Sequence, residues 1–383
     1  MNKRIAILGA TGSIGCGALE VIEHLGPPYR VAALSGHTQT EKLLEQARKH
    51  RPAAIALSHS PPTASSELSR LGIKIYEGPA GLVEMVGRDD IDLVLAAIVG
   101  AAGLPAVLAA VEAGKTVALA NKEALVVAGS LLIPLARKNK VQLLPVDSEH
   151  SAVFQAAQSG RLEEIKRVIL TASGGPFRRA SAEEIENATL ADALNHPTWR
   201  MGSKITIDSA TMFNKALEII EACWLFGLSP EKVEVVIHPE SVVHSMVEFI
   251  DGSVIAQLSP PDMRTPIQYA LTYPKRLPGI SRKLDLGKPF SLNFEKPDLE
   301  RFPALRLGYE VARKGGTLGA VLNAANEAAV TAFTSGKIRF VEISKLVAGT
   351  IEAHQLQESP SLDDLLEADK WARSAVGTSI KAG

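Results

Sequence analysis

Ile5-Ala6-Ile7-Leu8-Gly9-Ala10-Thr11-Gly12-Ser13-Ile14-Gly15 is the stretch that decides how the first third of this chain is read. Four consecutive apolar residues suit a strand buried on both faces. Three glycines spaced G-x-x-G-x-x-G then break it, and a helical pattern follows from Ser13 to Leu25. Glycines at such a turn let a pyrophosphate approach the backbone, and the helix start offers free N–H groups and positive potential. A glycine pattern alone is weak, and this spacing departs from G-x-G-x-x-G. Its place between a first strand and a first helix is what points to a dinucleotide.

Working outward, strands are expected at 31–34, 53–57, 92–98, 116–120 and 141–146, with helices near 41–50, 104–113 and 123–138. Apolar strands alternating with helices imply a parallel sheet covered on both faces. The expected class is therefore α/β, with a Rossmann-like doubly wound sheet over residues 1–146. A central α/β domain is expected over 147–277, holding strands at 165–173, 233–237, 241–249 and 253–258 and one helix over 209–226. Residues 278–302, rich in Pro, Gly and charge, read as a linker, and 303–383 as a small helical domain.

Composition narrows the function classes. Of the 383 residues 46% are hydrophobic and 22% charged, and the net charge is −1, so no electrostatic footprint for nucleic acid or an anionic membrane is present. Two cysteines, Cys16 and Cys223, exclude a disulfide framework and a thiolate metal cluster. No apolar run has the length of a membrane helix. Met1-Asn2-Lys3-Arg4 leads directly into the first strand, so a cytoplasmic location is expected.

After the second strand stand Ser35-Gly36-His37-Thr38, without the carboxylate that bonds the ribose of NAD. Hydroxyls, amides and His37 suit a 2′-phosphate, which favours NADPH; a small polar loop is the plain alternative. Asn121-Lys122-Glu123 opens a helix after a strand, either lining the ligand crevice or merely capping the helix.

Acidic residues supply the chemistry. In Pro145-Val146-Asp147-Ser148-Glu149-His150, an extended backbone would turn Asp147 and Glu149 to one side and Ser148 to the other. On the expected helix over 209–226, Asn214, Lys215 and Glu218 share a face. Asp147, Glu149 and Glu218 together would form a hard, all-oxygen site suited to Mg²⁺ or Mn²⁺. Surface ion pairs and a solvated acidic turn are the bland alternatives. Thr171-Ala172-Ser173-Gly174-Gly175-Pro176 exposes backbone amides in a glycine turn and, with Ser209, Asn214 and Lys215, can cradle a phosphate. His196-Pro197-Thr198-Trp199-Arg200-Met201-Gly202 reads as a lid that excludes water, or as a Trp packed on a neighbouring surface. His238 and His244, interrupted by Pro239, are read as near-site or structural residues rather than ligands.

Together these segments resemble the 1-deoxy-D-xylulose 5-phosphate reductoisomerase family over essentially the whole chain. The resemblance is carried by GATGSIG (9–15), AAIVGAAGL (96–104), LANKEAL (119–125), LLPVDSEHSAVFQ (143–155), TASGGPF (171–177), HPTWRMG (196–202), DSATMFNKALEIIEA (208–222), IHPESVVHSMV (237–247), DGSVIAQL (251–258) and PDMRTPI (261–267).

The resemblance implies NADPH-dependent and divalent-cation-dependent rearrangement and reduction of 1-deoxy-D-xylulose 5-phosphate to 2-C-methyl-D-erythritol 4-phosphate, in non-mevalonate isoprenoid synthesis, by a homodimer. It places the cation on Asp147, Glu149 and Glu218. It places substrate on Lys122, Ser148, Glu149, Ser173, His196, Trp199, Ser209, Asn214, Lys215 and Glu218, with Ser173, Ser209, Asn214 and Lys215 on the phosphate and Met263 nearby. Glu149, His196, Lys122 and Glu218 are the implied catalytic residues. NADPH would be lined by Thr11, Gly12, Ser13, Ile14, Gly36, His37, Thr38, Asn121, Glu123 and Gly202. His37 stands where some members carry Lys, Thr38 where some carry Asn, and Arg200 adds a charge to the lid.

Two rival readings make different demands. Another NADP-dependent dehydrogenase, of the semialdehyde type, needs a thiol nucleophile, for which Cys223 is the candidate. A non-catalytic NADP-sensing protein needs neither the three carboxylates nor the phosphate cradle.

Overall fold

The structure is a computed structural model and describes residues 3–58, 62–287 and 289–382. The chain folds as two compact units. One comprises Met1–Ala124, Leu132–Ser151 and Asp262–Arg282; the other comprises Leu125–Leu131, Ala152–Pro261 and Lys283–Gly383. This division differs from the boundaries read from the sequence: 147–151 and 262–282 group with the first unit, and Leu125–Leu131 with the second.

The first unit is built on seven parallel strands: β1 (Lys3–Leu8), β2 (Tyr29–Gly36), β3 (Ala54–Leu57), β4 (Lys74–Glu77), β5 (Leu93–Ala96), β6 (Thr116–Leu119) and β7 (Leu143–Pro145). Their order is β4-β3-β2-β1-β5-β6-β7, so the winding reverses between β1 and β5. Ile5, Ala6, Ile7 and Leu8 are buried, as are all four residues of β5, which explains their unbroken apolar character. The expected helix over Ser13–Leu25 is present with those bounds. The short strand β4 and its flanking helices Pro62–Arg70 and Gly78–Val86 carry weaker signals and were not expected. Helix Arg264–Thr272 packs against Ser13–Leu25, where a Cβ on Gly17 would lie 3.3 Å from the Ile267 side chain.

The second unit holds the four strands β8 (Ile165–Ala172), β9 (Val233–Ile237), β10 (Val243–Phe249) and β11 (Val254–Leu258) in the order β11-β10-β8-β9. Only the β8–β9 pair is parallel. The single helix expected over 209–226 is two helices, Ser203–Thr211 and Phe213–Phe226, broken at Met212, which takes the left-handed conformation at φ 66°. No Gly or Pro marks that break, so local propensity does not announce it. Four C-terminal helices follow: Ala304–Lys314, Leu318–Thr334, Phe340–Ala353 and Leu362–Ala382. The first crosses Phe213–Phe226 so closely that a Cβ on Gly308 would fall 2.7 Å from the Cα of Ala216. The 278–302 stretch is largely irregular as expected, but Glu295 forms a backbone bridge with Ile237. Among the described residues no helix is long and apolar enough to cross a membrane.

Candidate active site

In the first unit the glycine turn is tightly closed. Gly9 has φ +82°, and a Cβ there would lie 2.7 Å from the carbonyl of Ala97, just past β5 where the winding reverses. Gly15 is equally constrained, because its Cβ would meet the Gly9 carbonyl at 2.4 Å. Only glycine closes both contacts. The following helix starts at Gly12 with no side-chain cap, and Gly12 and Ser13 are exposed. Its first N–H groups are thus available to an anion. Thr11 is buried and Ile14 half-buried beside them.

Beneath the turn, Ser35 Oγ accepts the Gly9 N–H at 2.9 Å, and the Ser35 carbonyl accepts the Ala10 N–H at 2.8 Å. Lys42 Nζ donates to the Thr11 carbonyl at 2.8 Å and Gln46 Nε2 to that of Ala10 at 2.9 Å. Lys42 was missed from the sequence; its third position in helix Thr40–His50 gives no hint that the fold brings it to the first glycine turn. At the end of β2, Gly36 abuts Leu43, His37 and Thr38 are exposed, and His37 Nδ1 lies 2.6 Å from Ser58 Oγ.

Asn121 is a helix cap that also ties down the segment after β5. Its Oδ1 accepts the Ala124 N–H at 2.7 Å, and its Nδ2 donates to the carbonyls of Ile98 and, at 2.8 Å, Gly100. Lys122 and Glu123, in the first turn of Lys122–Lys138, are buried. Lys122 forms an ion pair with Asp147.

The acidic run is not extended. A helix begins at Ser148 (Ser148–Ala156), and the Asp147 carbonyl accepts the Ser151 N–H at 2.8 Å. The two-residue alternation expected for Asp147, Ser148 and Glu149 therefore fails. In a helix consecutive residues are about 100° apart, and Ser148 Oγ donates to Glu149 Oε2 at 2.6 Å. Ser148 thus neighbours the acid it was expected to oppose. Met263 lies in this unit too, at the start of Arg264–Thr272.

The second unit carries the other expected residues, Gly202 included. Glu218 is completely buried and accepts from Asn214 Nδ2 at 2.5 Å and from Lys215 Nζ, so the face-sharing read from the sequence is present. The glycine turn after β8 presses on the Ser203–Thr211 helix: a Cβ on Gly175 would lie 2.7 Å from the Ser209 carbonyl. Ser173 Oγ accepts the Gly175 N–H at 3.2 Å and lies 2.9 Å from His196 Nε2.

His196 has its tautomer dictated by its neighbours. Nδ1 accepts the N–H groups of Thr198 at 3.1 Å and Trp199 at 2.9 Å, so the ring proton sits on Nε2 and donates toward Ser173. Burial lowers its pKa, which favours this neutral form. His196 is therefore placed as a hydrogen-bond donor, and Ser173, as its acceptor, keeps its own O–H to donate elsewhere. Trp199 is half-buried with its ring 6.2 Å from that of His244, and Arg200 is exposed.

His238, the centre of the competing cluster, is structural. Its Nε2 accepts the Val242 and Val243 N–H groups at 3.2 and 3.1 Å, its Nδ1 faces the Asn293 carbonyl at 2.8 Å, and Phe294 stacks on the ring. Neither nitrogen has a lone pair left for a metal. Burial, reinforced by Glu231, pushes the Cys223 thiol up to about 12, the opposite of a nucleophile's requirement. That removes the residue on which the semialdehyde-type reading depended.

Three family models cover most of the chain: 1-deoxy-D-xylulose 5-phosphate reductoisomerase over residues 5–129, its C-terminal domain over 143–226, and the DXP reductoisomerase C-terminal domain over 258–375. The 1-deoxy-D-xylulose 5-phosphate reductoisomerase of Pelodictyon phaeoclathratiforme is 51% identical over 373 residues, 97% of this chain and 98% of that protein. The chain belongs to the 1-deoxy-D-xylulose 5-phosphate reductoisomerase family. The enzyme of Chlorobaculum tepidum is also 51% identical, over 97% of this chain and 98% of its own length. Among solved structures, a DOX-P reductoisomerase in complex with NADPH, fosmidomycin and magnesium superposes with a TM-score of 0.94 at 43% identity, over 99% of this chain and 98% of that one. The Zymomonas mobilis family member in complex with NADPH gives 0.93 at 43% identity, over the full length of both chains.

Proposed function

We infer that this protein converts 1-deoxy-D-xylulose 5-phosphate to 2-C-methyl-D-erythritol 4-phosphate with NADPH and a divalent cation, Mg²⁺ or Mn²⁺. The observation that carries the reading is family membership along almost the entire chain. The residues fit the groups the reaction needs. Gly9 and Gly15 let the turn close tightly on its own backbone and on Ala97, beside an uncapped helix start whose free N–H groups suit a pyrophosphate. Lys42 adds positive charge at that turn. Asp147, Glu149 and Glu218 offer only carboxylate oxygens, the donor type of a hard cation. When bound, the cation polarises the keto and hydroxyl oxygens of the substrate, and the nicotinamide supplies the hydride.

The remaining work falls to side chains. Ser173, Ser209, Asn214 and Lys215 hold the phosphate, so that a flexible substrate is bound in one register. His196 donates from Nε2 and orients the Ser173 hydroxyl. Its Nδ1 ties down the backbone at Thr198 and Trp199, so lid and phosphate cradle are linked through one ring. Lys122, paired with Asp147, and Ser148, on Glu149, orient two of the carboxylates. Thr11, Gly12, Ser13, Ile14, Gly36, His37, Thr38, Asn121, Glu123 and Gly202 are proposed to line NADPH. A homodimer in the cytoplasm is proposed from the resemblance.

The test is NADPH oxidation in the presence of 1-deoxy-D-xylulose 5-phosphate, with and without Mg²⁺ or Mn²⁺. Cation-dependent oxidation blocked by fosmidomycin is the expected result, and no oxidation under either condition rejects the function. Light scattering tests the dimer separately.

A further inference from the structure

Helix Ser203–Thr211 carries Ser209 at its C-terminal end and is short, only nine residues. Within itself it is held by Thr206 Oγ1 on the Gly202 carbonyl, Thr211 Oγ1 on the Ile207 carbonyl, and a Lys204–Asp208 ion pair at 2.6 Å. None of these fixes the rotation of the helix about its own axis. That rotation decides where the Ser209 hydroxyl points. A roll of about 20° moves an atom about 5 Å from the axis by roughly 1.7 Å, and a displacement of about 1 Å at a positioning group costs on the order of a hundred-fold in rate.

Five residues of this helix are buried, and one hydrogen bond from a remote element grips it next to Ser209. Asn326, in the middle of Leu318–Thr334, donates from Nδ2 to Asp208 Oδ1 at 2.8 Å, across 118 residues of sequence. Both partners are removed from water: Asn326 is 0% exposed and Asp208 1%. The other end of the amide, Oδ1, is buried with no hydrogen-bond partner among the described residues. Burying an unmet acceptor is costly, but the buried Asp208 carboxylate needs a donor, and Nδ2 supplies it. Ser209 follows Asp208 directly, and its carbonyl is in contact with the Gly175 turn on another side. Asp208 is thus the handle by which the helix is held while Ser209 faces the glycine turn.

We propose that Asn326 is a positioning residue: through Asp208 it fixes the rotation of helix Ser203–Thr211, aims the Ser209 hydroxyl into the phosphate cradle, and so sets affinity for the phosphorylated substrate. This rests on the reading that Ser209 holds the substrate phosphate. It gives the C-terminal helices a part in substrate recognition, although they contribute no group to the chemistry.

The test compares Asn326→Leu, Ser209→Ala and the exchanged pair Asp208→Asn with Asn326→Asp in the full-length enzyme. Inorganic phosphate is used as a competitive probe beside the steady-state constants. Asn326→Leu removes an unmet acceptor but also takes the donor from a buried carboxylate oxygen of Asp208, so its unfolding midpoint is expected to fall, and the phosphate-linked constants carry the test. Its KM for substrate and its inhibition constant for phosphate are expected to rise together by about ten-fold, with the KM for NADPH unchanged. The exchanged pair keeps one amide facing one carboxylate, although it takes the carboxylate from Lys204, and is expected to recover part of the phosphate affinity that Asn326→Leu loses. A purely structural role would lower the unfolding midpoint and leave both phosphate-linked constants in place. If Ser209→Ala raises the phosphate constant and Asn326→Leu does not, the positioning role is refuted while the cradle stands. If Ser209→Ala leaves that constant unchanged, the cradle reading falls and the positioning role with it.

Discussion

Removing the charge of Glu218 tests the buried heart of the second unit. The Glu218 side chain is 0% exposed and that of its ion-pair partner Lys215 is 4% exposed. Glu218→Gln leaves the Lys215 ammonium in the interior without this carboxylate, and Lys215→Met does the converse. Breaking a buried pair from one side costs about 3–5 kcal/mol, whereas replacing both members is often nearly neutral, because both desolvation penalties disappear together. Each single variant should therefore lose about 3–5 kcal/mol, and the double variant Lys215→Met/Glu218→Gln about 1 kcal/mol or less. For a folding unit of about 150–250 residues each kcal/mol moves the midpoint by roughly 2–4 °C. The singles should then melt roughly 6–20 °C below wild type and the double should approach it. Thermal unfolding followed by far-UV circular dichroism measures all four proteins. All three variants should lack turnover, which separates the stability cycle from the chemistry. Additive losses, with the double variant the least stable, would refute the buried-pair argument. Turnover of Glu218→Gln at a near wild-type rate would refute its place at the cation.

Asp147→Asn should abolish cation-dependent turnover while NADPH binding, followed by nucleotide fluorescence, stays within a few-fold of wild type; retained turnover removes Asp147 from the proposed ligand set. Gly9→Ala forces a side chain at φ +82° against the Ala97 carbonyl and should cost about 1–3 kcal/mol of stability. It should also weaken NADPH binding more than phosphate binding; equal affinity for NADPH in a folded variant would show that the turn is not the nucleotide cradle. For His196 the folded-state pKa is depressed by burial, so its contribution to stability is fully present above the ordinary imidazole value. It is lost as pH falls through that value toward the depressed one. Protonating Nδ1 also removes the acceptor for the Thr198 and Trp199 N–H groups. Trp199 fluorescence should therefore change in mildly acidic solution in the wild type and not in His196→Gln, and identical pH profiles would contradict the latch.

The parallel sheet was legible because apolar strands buried on both faces leave a signal in every residue. Ile5–Leu8 and the glycines after them are read correctly from composition and order alone. The alignment of Asn214, Lys215 and Glu218 was legible for a similar reason: three and four residues along a helix return to one face. Two local readings failed. Asp147 was assigned an extended backbone by continuing the strand pattern through it. Yet an Asp followed by Ser and Glu is equally a helix-start signal, and the structure follows that one. The break at Met212 carries no breaker residue, and its positive φ is imposed by the surrounding packing rather than by sequence preference.

The sequence by itself determined the class of the fold, the position of the first glycine turn and the residue types available for the chemistry, since each depends on neighbours within a few positions. Only the tertiary structure decided what those residues do to one another. The imidazole of His196 is a donor because the N–H groups of Thr198 and Trp199 occupy Nδ1. His238 is closed to metal by Val242, Val243 and Asn293, and Lys42 reaches a turn thirty-one residues earlier. Asp208 is held by Asn326, from a helix more than a hundred residues away. Hydrogen-bond polarity, tautomer and burial belong to groups that meet through space, and periodicity along a chain carries no record of them.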